Sequence, residues 1–132
     1  MAKRRQFISK AAIMGLGTSL VVPVPEHVKK NSLVHHVFFW LKNARSEDDR
    51  NQLIFGLRTL KQIKSVVALH IGIPASTTKR DVVDSSYDVS ELIFFADVAE
   101  QERYQADPIH VKFVSEYAHL WEKVVVYDSI SV

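Results

Sequence analysis

Two histidines and a tyrosine are the side chains best suited to moving a proton. In the stretch RYQADPIHVKF, residues 103–113, Tyr104 precedes an Asp-Pro pair and His110 follows it. Asp107 can cap a helix and Pro108 suits its first turn, so His110 falls where backbone N–H groups lack an intrahelical partner. The positive end of the helix dipole disfavours an imidazolium there, and a neutral imidazole is a general base. His110 could remove a proton α to a carbonyl while Tyr104 donates to the enolate oxygen or orients the imidazole. A purely structural reading stands beside it, in which His110 packs at the helix start and hydrogen-bonds Tyr104. His35, in LVHHVFFWLK at residues 33–42, is the third group of the set.

These side chains need a scaffold, and hydrophobic periodicity supplies one. Residues 33–41 read as a strand with His35, Val37, Phe39 and Leu41 on one face and His36, Phe38 and Trp40 on the other. Both faces are largely apolar, so both call for cover, one side from helices and the other from a second subunit. Ser46 caps an amphipathic helix that runs to about Gln62, with acids in its first turn and Leu53, Leu57 and Leu60 at helical spacing. SVVALHIGI is a second strand ended by Pro74, followed by a polar loop, and YDVSELIFFAD is a third. In the third, Val89, Glu91, Ile93 and Phe95 share a face. A short helix over 99–105 leads to the Asp-Pro break. The next helix carries His110, Phe113, Val114, Tyr117 and Trp121 on one stripe, and EKVVVYDSISV is a fourth strand. The order β-α-β-β-α-β predicts an α+β, ferredoxin-like monomer. The space between sheet and helices is then lined by His35, Val37, Phe39, Val89, Phe113, Tyr117 and Trp121, the candidate ligand contacts.

Bulk properties remove several function classes. The chain has 132 residues, 47% hydrophobic and 24% charged, which suits one globular domain. No cysteine is present, so disulfides, thiolate catalysis and cysteine zinc sites are excluded. The formal charge of +2 is unevenly spread: Lys3, Arg4, Arg5 and Lys10 are four of the 17 basic residues, leaving 13 against 15 acids in the remainder. Such a body has no basic stripe for nucleic acid. The basic start, with an uncharged run from Ala11 to Pro25, has the shape of an export signal over residues 1–25, too short to span a bilayer comfortably. Arg4-Arg5 followed by Gln6, Phe7 and Ile8 resembles a twin-arginine motif, which implies an exported, periplasmic or extracellular bacterial protein with no stable membrane insertion after signal removal. Residues 26–32 read as a linker, and the domain occupies 33–132. The remaining histidines and acids have no tetrahedral metal spacing, and no cofactor is indicated; haem ligation by His110 finds no support in the pattern.

HHVFFWLK, YDVSELIFF, YQADPIHVKF with its Tyr-x-x-x-Pro-x-His core, and WEKVVVYDS occur in an order and spacing that resemble the stress-responsive dimeric α+β barrel family over residues 33–130. The resemblance implies two ferredoxin-like monomers packed sheet to sheet as a homodimer, with a cleft between each sheet and its helices. It also implies that His110 and Tyr104 correspond to the pocket histidine–tyrosine pair of a characterised plant polyketide cyclase, and His35 to its first-strand histidine. Val89 and Gly56 stand where that cyclase has a further histidine and tyrosine, which argues against the cyclase reaction itself. Two function classes follow. One is binding of a small apolar or carbonyl-containing molecule, with cyclase- or isomerase-like proton transfer by His110 and Tyr104. The other is a non-catalytic stress or assembly protein. In the folded dimer, a cavity of about 300 Å³ or more walled by His110 and Tyr104 favours the first, and a filled interior favours the second.

Overall fold

A computed structural model describes residues 28–132, so the export signal expected over 1–25 lies outside the described residues. Strand β1 spans Leu33–Leu41, and its residues alternate between full and partial burial, as expected for a strand covered on one face. Helix α1 (Glu47–Thr59) starts where the Ser46 side chain accepts from the Asp49 N–H at 3.2 Å. Glu47, Asp48 and Asp49 sit in its first turn, where the dipole favours anions. Leu53 and Leu57 are completely buried, as is Leu60 in the 3-10 turn that extends the helix over Leu60–Gln62. Each contributes roughly 2 kcal/mol of transfer free energy.

Strand β2 (Ala68–Gly72) and strand β3 (Val89–Phe95) follow, joined by a long loop. Helix α2 (Val98–Ala106) is capped by Asp97, whose carboxylate accepts from the Glu100 N–H at 2.9 Å. It ends at Asp107, whose extended backbone (ψ 136°) is what a following proline enforces. The same Asp107 starts helix α3 (Pro108–Tyr117) by accepting from the Ile109 N–H at 2.8 Å. One residue thus ends one helix and begins the next. Strand β4 (Trp121–Ile130) closes the domain. Trp121 is therefore the first residue of β4 rather than a member of the α3 stripe, and Val114 is exposed. The helix gives way to a 3-10 turn at Ala118–Leu120, which rotates the following residues off the helical face.

The sheet has the order β2-β3-β1-β4 with every neighbouring pair antiparallel, the ferredoxin-like arrangement. Val37, Phe39, Leu41, Val89, Ile93 and Phe95 point to the helices and join the α1 leucines in the core. Gly56 lets α1 and α3 approach: a Cβ there would lie 2.7 Å from the Tyr117 ring. The tyrosine that packs at this corner comes from α3. Pairing of Phe39 with Val124, Val37 with Val126 and His35 with Asp128 puts these β4 residues on the helix-side face. The helices do not reach that far, leaving Val124 at 43% and Val126 at 45% exposure. On the opposite face, His36, Phe38 and Trp40 are half-buried beside Val125 and Tyr127. Among the described residues, no helix is long and apolar enough to cross a membrane.

Candidate functional site

Strand alternation, the cap of α3 and the turn at Pro108 bring His35, Tyr104 and His110 into one cluster. The Tyr104 ring lies 4.6 Å from that of His110 and 5.8 Å from that of His35, centroid to centroid, with Phe95 at 5.0 Å. The tyrosine is only 1% exposed. Its hydroxyl donates to Glu91 Oε1 at 2.9 Å, and Glu91 is itself 2% exposed. Burial pushes the Glu91 carboxyl up to about 7, against the opposing pull of the Tyr104 hydrogen bond. Burial and the Glu91 charge beside it push the Tyr104 phenol up as well, so Tyr104 stays protonated.

His110 is half-buried, and desolvation holds its imidazole below the ordinary histidine value, with the charge of His35 acting the same way. The hydrogen bond to the Gln105 backbone and the Asp107 carboxylate act in the opposite sense. His35 is buried, and its Nδ1 lies 2.6 Å from Asp128 Oδ1. A carboxylate in that position accepts the Nδ1 proton, so Nε2 of neutral His35 is an acceptor. The Asp128 side chain remains 45% exposed, at the open end of the pair.

The other expected contacts divide by depth. Val37, Phe39, Val89 and Phe113 are core residues with almost no accessible surface. Tyr117 and Trp121 are half-buried, and Phe113 stacks on both, at 5.6 and 5.8 Å. The accessible surface on this side is the β4 strip of Val124, Val126 and Asp128, which starts at Trp121 and ends beside His35. The open clefts beside Trp40 and Tyr87, beside Phe55 and Ile109, beside Ile63 and Arg103, and along the loop at 75–85 have no His35, Tyr104 or His110 in their walls. Among the described residues no three His, Asp or Glu side chains are grouped to hold a metal ion.

Two members of the site escaped the sequence reading, Glu91 and Asp128. A signal for the first existed: a glutamate in register with Val89, Ile93 and Phe95 has to be buried, and a buried carboxyl needs a partner. Asp128 stands two residues beyond Val126 and so shares its face, but its pairing with His35 depends on the β1–β4 register, which periodicity alone does not give.

Comparison with curated proteins gives no match. Among solved structures, a protein of Mesorhizobium loti described as a Dabb family protein with a ferredoxin-like fold is 25% identical, with TM-score 0.62 over 76% of this chain and 97% of that one. A hydroxynitrile lyase from Passiflora edulis is 22% identical, with TM-score 0.66 over 79% of this chain and 96% of that one. A cofactor-independent oxygenase from Streptomyces nogalater is 9% identical, with TM-score 0.55 over 76% and 93%. The last two show a shared fold with different chemistries built on it. Residues 33–131 match the family description Stress responsive A/B Barrel Domain, three quarters of the sequence and nearly all of the described fold, and the chain belongs to that family.

Proposed function

We propose that this protein is an exported homodimer that binds a small, largely apolar carbonyl compound on the helix-side face of β4 and moves a proton with His110. One observation carries the reading: the uncovered strip of Val124, Val126 and Asp128 ends beside His35, which is tied to a carboxylate and lies against the same Tyr104 ring as His110, a histidine held below its ordinary pKa. A neutral imidazole next to apolar surface suits removal of an α-proton, a step worth typically 10²–10⁴-fold. Homodimerisation rests on the half-exposed aromatic face of His36, Phe38, Trp40 and Tyr127, and export on the basic and apolar run of residues 1–25.

The test is deuterium exchange at the methyl group of acetophenone, followed by NMR in heavy water. Exchange above the buffer rate, lost at least about 100-fold in His110→Ala with the dimer intact, supports the proposal. No acceleration, together with no perturbation of Trp121 fluorescence by acetophenone, overturns it. The second reading, a non-catalytic stress or assembly protein, draws on the closed packing of Tyr104 between Phe95, His35 and His110. It expects His110→Ala to lower the melting temperature and alter no ligand. Export is tested by replacing Arg4 and Arg5 with lysine and fractionating cells: mature protein held in the cytoplasm supports the twin-arginine route.

A further inference from the structure

The Tyr104 hydroxyl has one hydrogen, and an ionised Glu91 takes it at 2.9 Å. In that state Tyr104 can only accept from any further partner. A protonated Glu91 reverses the bond: the carboxylic O–H donates to the phenol oxygen, and the phenolic hydrogen is released for a second acceptor. We propose that Glu91 is the positioning residue of this site, and that its protonation switches Tyr104 from a hydrogen-bond acceptor to a donor. This goes one step beyond the proton-transfer reading and rests on it only in supposing that Tyr104 serves the ligand.

The surroundings make the switch specific. Glu91 sits in register between Val37 of β1 and Ile71 of β2, both apolar. The core leucines of α1 add no titratable group. The titratable groups that face the pair are His110 from α3 and His35 from β1, with Asp128 of β4 behind it. A neutral His110 or a ligand carbonyl is an acceptor of the kind that a freed phenolic hydrogen requires. The one bond made is the O–H of the Glu91 carboxyl; solvent supplies that proton and takes it back, and no bond between heavy atoms changes. Burial places the Glu91 transition at about 7, whereas His110 is held below the usual histidine value. Just below neutrality the site therefore combines a neutral base with a tyrosine free to donate, the pair an enolising reaction needs.

The experiment is an infrared titration of the full chain from about pH 9 to about pH 5, in wild type, Glu91→Gln and Tyr104→Phe. The expected result is a protonated-carboxyl C=O band that grows as pH falls through about 7 and is missing from Glu91→Gln. A tyrosine C–O band missing from Tyr104→Phe moves at the same midpoint. A carboxyl that appears only in the ordinary glutamate range, or a tyrosine band unmoved across the Glu91 midpoint, overturns the proposal. If Glu91→Gln does not fold, Tyr104→Phe carries the test, because loss of its partner must shift the carboxyl band. Acetophenone binding is then measured by calorimetry: wild-type affinity should fall several-fold above neutrality, while Glu91→Gln, whose amide does not titrate, keeps one affinity throughout. Affinity that varies equally in both overturns the switch. Absence of acetophenone binding at every pH, with both infrared bands behaving as stated, leaves the switch standing and defeats the small-carbonyl reading instead.

Discussion

Neighbouring residues of β1, His35 and His36, stand on opposite faces of one sheet, and the two faces solve different problems. On the helix side, His35 is buried, bonded to Asp128 and set against Phe95 and Tyr104. On the open side, His36 is half-buried and tilts against Phe38 at 4.3 Å, with Tyr87 and Tyr127 packed around Phe38. The helix side satisfies its polar groups internally, through Glu91–Tyr104 and His35–Asp128. The open side instead offers aromatic rings, a Lys123 ammonium 4.5 Å over Trp40 and a cleft of about 250 Å³. Over β1 and β3 the helix side closes its own hydrogen bonds while its β4 valines stay open, whereas the half-covered rings of the other face are the surface on which a partner sheet is proposed to pack. Polar groups mark the first and apolar excess the second.

The comparison breaks most readily at Phe38. Its ring centres the open-side cluster, so Phe38→Asp puts an unpaired carboxylate where the partner sheet is proposed to pack, at a cost of about 3 kcal/mol or more. Sedimentation at micromolar concentration should show the dimer dissociating at least 100-fold more readily, with the monomer still folded by circular dichroism. A variant as dimeric as wild type would locate the interface elsewhere.

The helix side is probed at Glu91. Its carboxyl titrates near 7 in the folded chain against an ordinary 4.5, so the folded state holds more protons between those values. The resulting stability is fully present below 4.5 and lost as pH rises through about 7, a difference worth about 3 kcal/mol. Glu91→Gln removes that dependence. Denaturant unfolding should find the variant more stable than wild type by up to this amount at pH ~8 and nearly equal at pH ~4. Subtracting the two curves cancels the histidines, which titrate in both proteins. A difference that does not change with pH would mean that Glu91 is not the buried acid described above.

These two faces were not equally legible in sequence. Alternation in residues 33–41 and 89–95 and leucine spacing in α1 reveal strands, helix and topology, because burial on one face forces the period whatever the partner. The Asp107-Pro108 break is legible too, since capping and proline sterics act within a few residues. Glu91–Tyr104 and His35–Asp128 were not, because the first depends on how α2 folds back over β3 and the second on the register between β1 and β4 at opposite ends of the domain. Trp121 was misplaced for a related reason: helical spacing continues past Tyr117 in the sequence, while the backbone leaves the helix there.

A smaller effect separates the inner pair from its exposed end. Asp128→Asn leaves His35 without its carboxylate, but the Asp128 side chain is 45% exposed and water replaces part of what is lost. Unfolding should show a loss of about 1 kcal/mol. The more telling readout is the His35 nitrogen chemical shifts, which report the tautomer. If the proton stays on Nδ1 as firmly as in wild type, the carboxylate is not what orients the ring.

The smallest expected effect has the opposite sign to that of Glu91 and sits on the other face. Burial, followed by the charges of His70 and His35, lowers the His36 pKa from its ordinary 6.5. The folded state then binds fewer protons than the unfolded chain once pH drops below that value, so the His36 contribution is present at neutral pH and lost on acidification. Association of two open faces removes still more water from this imidazole and should enlarge the effect. Dimer dissociation measured from about pH 7.5 to about pH 5.5 is expected to become several-fold easier, and His36→Gln should flatten the slope. His119→Gln, at an exposed position beyond α3, should leave it unchanged. If the His36 variant keeps the wild-type slope, the acid sensitivity of the dimer comes from another group, and the open face does not close over His36. If the slope flattens, one fall in pH protonates Glu91, stabilising the helix side, and loosens the open side at His36, so the two faces of one strand respond to acid in opposite directions.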